Sequence, residues 1–361
     1  MNFYDLGIVF RYIGLAQAFF VVIYMFFFRE RKPSLLLFVL FFVTFSASNI
    51  GYILESFNVY EEFPRFRFFP IGFYFFTIPL FYLYTKSLLE KIKTREIVLF
   101  LVVGFVEFIL LTILFVLPPN VSNAFHKSHY WVFLLFHGYF LNLFSLFFVF
   151  LTLRRINNYH KKYLNFFSNT QKVNLNWIRN TSYVLMVIYL FQLFAVLFPI
   201  KDKMSVIYFI DSILTVLFIY WASIFAIKQS HIPDEFEIFE NTKVLNDPKI
   251  DDFEVIVSTL KKSEIYKNSN LTVIELADLV NLPPKKVSQT INQFSNKNFN
   301  NFINEFRVIE AKKLLANPEY DNLTIEAIYK DSGFNSKSVF NTIFKQETGE
   351  TPSAFKKKLK E

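Results

Sequence analysis

Leu323–Gly349 reads LTIEAIYKDSGFNSKSVFNTIFKQETG, and Leu271–Phe294 reads LTVIELADLVNLPPKKVSQTINQF. Both segments open with Leu-Thr, and each has the pattern of a short helix, a tight turn and a second helix. Thr272 with Glu275 fits a capping box, in which Thr covers the N3 amide and Glu reaches back to the cap. Thr324 lacks an acid at N3, so its cap is weaker. Gly333 supplies the second turn, since glycine tolerates positive φ. Pro283 and Pro284 mark the first turn, and Pro284 suits a first helical position. Between the units, NFNNFINEFRVIEAKKLLANPEY places Phe302, Ile303, Phe306, Ile309 and Leu314 at helical spacing. This predicts a linking helix of about 15 residues, closed by Pro318. Val287, Ile291, Phe340 and Phe344 fall in the core phase of the two second helices.

Upstream of these units the character of the chain changes. Of 361 residues, 53% are apolar, 51 are Phe and none is Cys. The mean hydropathy, +0.33, is too high for an ordinary soluble domain and too low for a chain apolar throughout. The apolar content excludes disorder, and the lack of Cys excludes disulfides, thiolate zinc sites and thiol catalysis. Apolar runs lie at about Ile8–Phe28, Ser34–Leu54, Phe68–Leu89, Ile97–Leu117, Tyr130–Leu153, Ile178–Ile200 and Val206–Ile227. Each has about 20 residues, enough to cross a bilayer core of ~30 Å. The expected fold is therefore all-α: a seven-helix transmembrane bundle over 1–227, a Pro-containing acidic linker over 228–250, and a helical domain over 251–361 with two helix-turn-helix units. Asp251–Tyr266 reads as an amphipathic helix opening that domain. The first span lacks a basic leader and a small-residue cleavage site, so it is expected to be retained.

The net charge of +8 belongs to the apolar part. Up to Ile227 there are 19 Lys/Arg against 10 Asp/Glu, and from Asp251 onward 16 against 15. With seven spans, one set of loops carries 13 cations, among them Arg29, Arg31, Lys32, Lys172 and Arg179, and the alternate set carries 5, including Lys201 and Lys203. The bias predicts a cell inner-membrane protein with its N-terminus outside and its C-terminal domain in the cytoplasm.

Ionisable groups inside spans are costly and face a cavity or a partner. Arg11, Glu107, His137, Gln192 and Asp211 are candidates for a ligand pocket. The alternative is internal pairing, such as Arg11 with Asp211, that only holds the bundle together. His126 and His129 read as loop residues, and no metal site or cofactor is expected.

In the C-terminal part the elements LADLVNL, VSQTIN, FINEFRVIEAKKLL and GFNSKSVFNTIFKQETGETPSAFKK together resemble the DNA-binding domain of the AraC (arabinose-regulator) family. The landmarks are Gly333, Phe334, Phe340, Phe344, Lys345, Thr348, Gly349, Thr351, Pro352 and Ser353. The likeness covers Leu271–Lys358, about a quarter of the chain. Tyr329 and Ser332 stand where that family usually has small or apolar residues. The resemblance implies two recognition helices entering successive major grooves of double-stranded DNA. The reading residues would be Lys285, Ser288, Gln289 and Asn292 in the first unit, and Lys337, Ser338, Asn341 and Thr342 in the second. Lys286, Lys345 and Arg307 could meet phosphate or internal acids, and Arg307 reads as a structural ion-pair residue.

The expectation is a membrane-embedded one-component transcription regulator, not an enzyme, that takes an unknown external or membrane signal; a homodimer or membrane clustering could compensate for weak monomeric DNA affinity, and the sequence leaves the oligomeric state open. No Arg lies on either reading face, and the domain is nearly neutral. That leaves open a membrane receptor whose cytoplasmic domain is a protein-interaction module.

Overall fold

The computed structural model describes residues 2–28, 33–169, 175–198, 204–228, 247–320 and 323–359. Most of the expected linker lies outside these residues, as do the loop cations Arg29, Arg31, Lys32, Lys172, Lys201 and Lys203. Among the described residues the fold is all-helical apart from one isolated antiparallel bridge, Phe167 to Thr272. The chain divides into two compact units, 1–157 with 175–231, and 158–174 with 232–361. Asn158–Asn174, which the sequence reading left with the apolar region, thus groups with the C-terminal residues.

The first unit contains α1 (Phe3–Phe28), α2 (Pro33–Ala47), α3 (Ile50–Ser56), α4 (Val59–Glu62), α5 (Tyr74–Leu89), α6 (Thr94–Val116), α7 (Pro119–Ser128), α8 (Tyr130–Phe133), α10 (Asn176–Leu197), α11 (Met204–Lys228) and α9 (Leu141–Tyr163) up to Asn157. Six stretches among the described residues are long and apolar enough to cross a membrane: Phe3–Phe27, Ser34–Ser56, Thr94–Val116, Tyr130–Tyr163, Asn176–Leu197 and Ser205–Ile224.

The expected span Phe68–Leu89 is shorter than its hydropathy implies. A 3-10 turn occupies Pro64–Phe68, Phe73 takes a left-handed conformation at φ 48°, and the helix begins only at Tyr74. Its 16 residues reach roughly 24 Å at 1.5 Å each, short of the ~30 Å core. Every residue from Phe75 to Lys86 except Phe76 is buried. In contrast, α6 shows Leu99, Ile109 and Ile113 at its surface, each more than half exposed.

Two local features shape the bundle. Near the end of α2, Thr44, Ser46, Ser48 and Asn49 each turn a side chain back onto a carbonyl three or four residues earlier. Such bonds compete with the helix ladder. The helix stops at Ala47 and resumes at Ile50. A π-helix at Leu134–Phe140 links α8 to α9, and the helix runs on to Tyr163, past the end of the apolar run near Leu153.

Small residues let α1 approach α11. A Cβ on Gly7 would lie 2.6 Å from the Tyr208 ring, and one on Gly14 would lie 3.1 Å from Val216 and Ile219. Close backbone approach of this kind is how apolar helices associate where water gives no driving force. At one end of the unit, Lys86 pairs with Glu96 (2.7 Å) and Glu90 (3.2 Å), and Arg155 pairs with Glu90 (2.8 Å).

The second unit contains α12 (Ile250–Ser263), α13 (Val273–Val280), α14 (Pro284–Ser295), α15 (Phe299–Ala316), α16 (Ile325–Asp331), α17 (Lys337–Thr348) and α18 (Pro352–Lys358). The expected capping box is present: Thr272 Oγ1 accepts from the Glu275 amide, and Glu275 accepts from the Thr272 amide at 2.7 Å. Thr324 caps α16 through the Ala327 amide. Asn281, left-handed at φ 53°, makes the first turn ahead of the two prolines, and Gly333 at φ 92° makes the second. Val287, Ile291, Phe340 and Phe344 are fully buried, as their phase predicted. Ser332 fits the core because its hydroxyl donates to the Ile328 carbonyl at 2.7 Å, and Tyr329 packs on Phe340.

Candidate nucleic-acid interface

In the second helix pair, α17 starts at a Ser336 cap and buries Phe340 and Phe344. Its opposite side carries Lys337, Ser338 and Thr342, all exposed, with Asn341 half-buried beside them. Thr342 Oγ1 donates to the Ser338 carbonyl at 3.0 Å, so its hydroxyl oxygen remains free to accept.

The first pair differs. On α14 only Gln289 of the four expected reading residues is exposed, and Gln293 one turn on shares its exposure. Lys285 is half-buried. Ser288 is 3% exposed and donates to the Asn165 carbonyl at 3.1 Å. Asn292 Nδ2 donates to Asn165 Oδ1 at 3.2 Å. Lys286 pairs with Asp252 of α12 at 2.7 Å. That contact, chiefly a hydrogen bond from Lys286, holds the Asp252 carboxyl below its usual range.

Arg307 on α15 is 2% exposed and structural, but it forms no ion pair among the described residues. Nε donates to the Tyr266 carbonyl (2.8 Å). Nη1 donates to the Ser168 carbonyl and Asn304 Oδ1 (3.1 Å each), and Nη2 donates to Ser168 Oγ (2.8 Å) and the Asn268 carbonyl (2.9 Å). Burial among neutral acceptors pushes its pKa down to about 10. The expected acid partner is thus replaced by carbonyl oxygens. Beside it, Glu310 pairs with Lys267 at 2.8 Å.

In the first unit a cavity of about 560 Å³ is lined by Arg11, Asn49, His137, Asn142, Gln192 and Asp211 among others. Arg11 Nη2 meets Asp211 Oδ2 at 2.7 Å, Arg11 Nη1 donates to Asn49 Oδ1, and Gln192 donates to Asp211 Oδ1 at 2.9 Å. His137 Nε2 lies 2.9 Å from Glu107 Oε1, while Glu107 Oε2 accepts from the Phe75 amide at 3.3 Å. Glu107 therefore backs His137 and does not line the cavity. The described residues contain no group of three or more acidic or His side chains able to hold a metal.

Residues 276–358 match the family model described as a helix-turn-helix domain. A curated relative, the regulatory protein PocR of Salmonella typhimurium, is 26% identical over 102 residues, which are 28% of this chain and 33% of that protein. The C-terminal unit carries an AraC-type helix-turn-helix domain. Its family is one of DNA-binding transcription-regulator domains, not of enzymes. The chain spans about a third of the length of the relative it matches, and the family model covers 276–358 without reaching the apolar helices. No solved structure matches the chain.

Of the residues expected to read DNA, those on α17 lie at the surface apart from half-buried Asn341, while on α14 sequence reasoning missed the Asn165 contacts to Ser288 and Asn292. The usable signal was Phe166-Phe167, an aromatic pair in the loop after α9. Both residues are buried, together with Tyr163 and Ser168.

Proposed function

We propose that this protein is a membrane-embedded one-component transcription regulator that binds double-stranded DNA through its AraC-type domain. The observation that carries the reading is the joining, in one chain, of six membrane-length apolar helices to two helix-turn-helix units on a single linking helix. Two recognition helices on a common rod can enter successive major grooves on one face of DNA. Lys337, Ser338, Asn341 and Thr342 would read one half-site, and Lys285, Ser288, Gln289 and Asn292 the other.

The buried helix Tyr74–Leu89 serves as a seventh crossing, made short because its neighbours and the preceding 3-10 turn complete it. Seven crossings put the termini on opposite sides, and the loop cations favour an outside N-terminus with the DNA-binding domain in the cytoplasm. The signal binds in the cavity around Arg11, His137, Gln192 and Asp211, with Glu107 positioning His137. Two buried polar atoms at its wall, Arg11 Nε and Asn142 Oδ1, have no hydrogen-bond partner among the described residues, which supports a ligand that supplies them. Dimerisation would raise the DNA affinity of a nearly neutral domain through effective concentration.

Crosslinking the protein to DNA in its native cells and sequencing the bound fragments tests the reading. Discrete promoters should be recovered, and Gln289→Ala with Asn341→Ala should lose them while the protein stays folded. The missing reading-face Arg and the near-neutral charge favour a second reading, a receptor with a protein-binding cytoplasmic domain. That reading predicts no promoter enrichment and a signalling output unaffected by the same two substitutions.

A further inference from the structure

The loop after α9 is bound into the AraC-type domain as though it were part of it. Phe167 faces Thr272 in an antiparallel bridge, flanked by Ser168 N to Leu271 O (3.0 Å) and Val273 N to Phe166 O (2.9 Å). The Asn300 amide donates to the Leu164 carbonyl, and its side chain donates to the carbonyls of Phe167 and Ser168. Arg307 grips Ser168 through two further bonds, to its carbonyl and to its hydroxyl oxygen. With the loop anchored in this way, Asn165 lies against α14 and engages Ser288 and Asn292. Among the described residues the second recognition helix has no equivalent cover, since Lys337, Ser338 and Thr342 are exposed.

We propose that Leu164–Ser168 is an intramolecular strap that masks the first recognition helix, so that docking of Asn165 on Ser288 and Asn292 and reading of DNA by those two side chains exclude each other. The proposal rests on the DNA-binding reading. A polar group read in the major groove must meet a base edge at hydrogen-bond distance, and Ser288, enclosed by Asn165, cannot. With the strap docked, the domain presents one open reading helix, and release adds the second. The strap follows α9 directly in the chain, so a change in that helix reaches it by covalent connection alone.

The bridged pair offers a lock outside the reading face. Phe167 and Thr272 form a non-hydrogen-bonded antiparallel pair, a spacing of about 4.5 Å between Cα atoms that suits a disulfide. The chain has no other cysteine to interfere. Full-length Phe167→Cys/Thr272→Cys protein in nanodiscs would be tested, reduced and oxidised, against duplexes that the reduced protein enriches from a random-sequence pool. Oxidation should weaken binding at least about tenfold, the loss of one or more base contacts, and reduction should restore it. Phe166→Ala, which loosens the anchor without a disulfide, should bind more tightly than the native chain. Equal affinity in both oxidation states, with Ser338→Ala still weakening binding, would overturn the mask and leave DNA reading intact. A pair that never crosslinks would contradict the docked geometry and overturn the mask as well. Failure of every form to enrich any duplex would remove the DNA-binding reading and the mask with it.

Discussion

Arg11 and Asp211, 200 positions apart, meet at 2.7 Å inside the apolar bundle, with the Arg11 guanidinium 4.0 Å from the centre of the Tyr52 ring and 4.7 Å from that of Tyr208. The pair joins α1 to α11 at the wall of the cavity, and Asn49 and Gln192 complete it. Removing one partner strands a buried charge at a cost of roughly 3–5 kcal/mol, whereas removing both is far milder. Arg11→Met and Asp211→Asn should each sharply lower the melting midpoint of the purified full-length protein, and the double variant should recover part of the loss. Additive losses would contradict the pairing.

Gly333 and Gly349 both have positive φ, at 92° and 84°, but their surroundings differ. A Cβ on Gly333 would lie 2.6 Å from the Tyr266 carbonyl oxygen and 2.8 Å from the Lys267 Cα, both backbone atoms that cannot swing aside. A Cβ on Gly349 meets nothing within 4 Å. Gly349→Ala should cost only the intrinsic left-handed penalty of about 1–2 kcal/mol. Gly333→Ala should cost clearly more and open the AraC-type domain to protease. Comparing the two in one urea titration checks the difference.

Arg307 satisfies five acceptors with a planar fork that lysine cannot reproduce. Arg307→Lys keeps the charge but leaves several buried carbonyls unpaired, at about 1–3 kcal/mol for each group stranded. Limited proteolysis should then cut near Ser168 sooner than in the native chain. An unchanged cleavage pattern would show that the strap holds without the fork.

The Asp252–Lys286 pair gives an acid-side prediction. The folded carboxyl has a lowered pKa, so its stabilising effect is complete above the unfolded carboxylate value of about 4. The effect is lost as pH falls through the folded value. Between pH 7 and 5 the thermal midpoint of the native chain should not change on this account. Below about pH 4 it should fall more steeply than that of Asp252→Asn, which has no carboxylate to protonate.

Helix positions, the Thr272–Glu275 cap, the Gly333 turn and the core phase of Val287, Ile291, Phe340 and Phe344 were legible because each depends on residue type at fixed local spacing. The length of the third apolar segment was not. Hydropathy counts Phe68 to Phe73 as greasy, but the backbone there bends through Pro64, Pro70 and a left-handed Phe73. Arg307 suggested an acid partner because carbonyl acceptors carry no residue-type signature. Asn165 was invisible for the same reason, since one of its two contacts with α14 uses only a backbone oxygen. The aromatic pair at Phe166-Phe167 was the one local clue to the strap.

The shortness and near-total enclosure of Tyr74–Leu89 bear on how the molecule is made. Handed to a bilayer alone, this helix of roughly 24 Å would not reach both faces. It becomes stable only after its neighbours have gathered around a vacant slot. Biogenesis should therefore finish with this segment, although the ribosome delivers it third, and substitutions there should show up as stalled insertion before they show up as altered signalling.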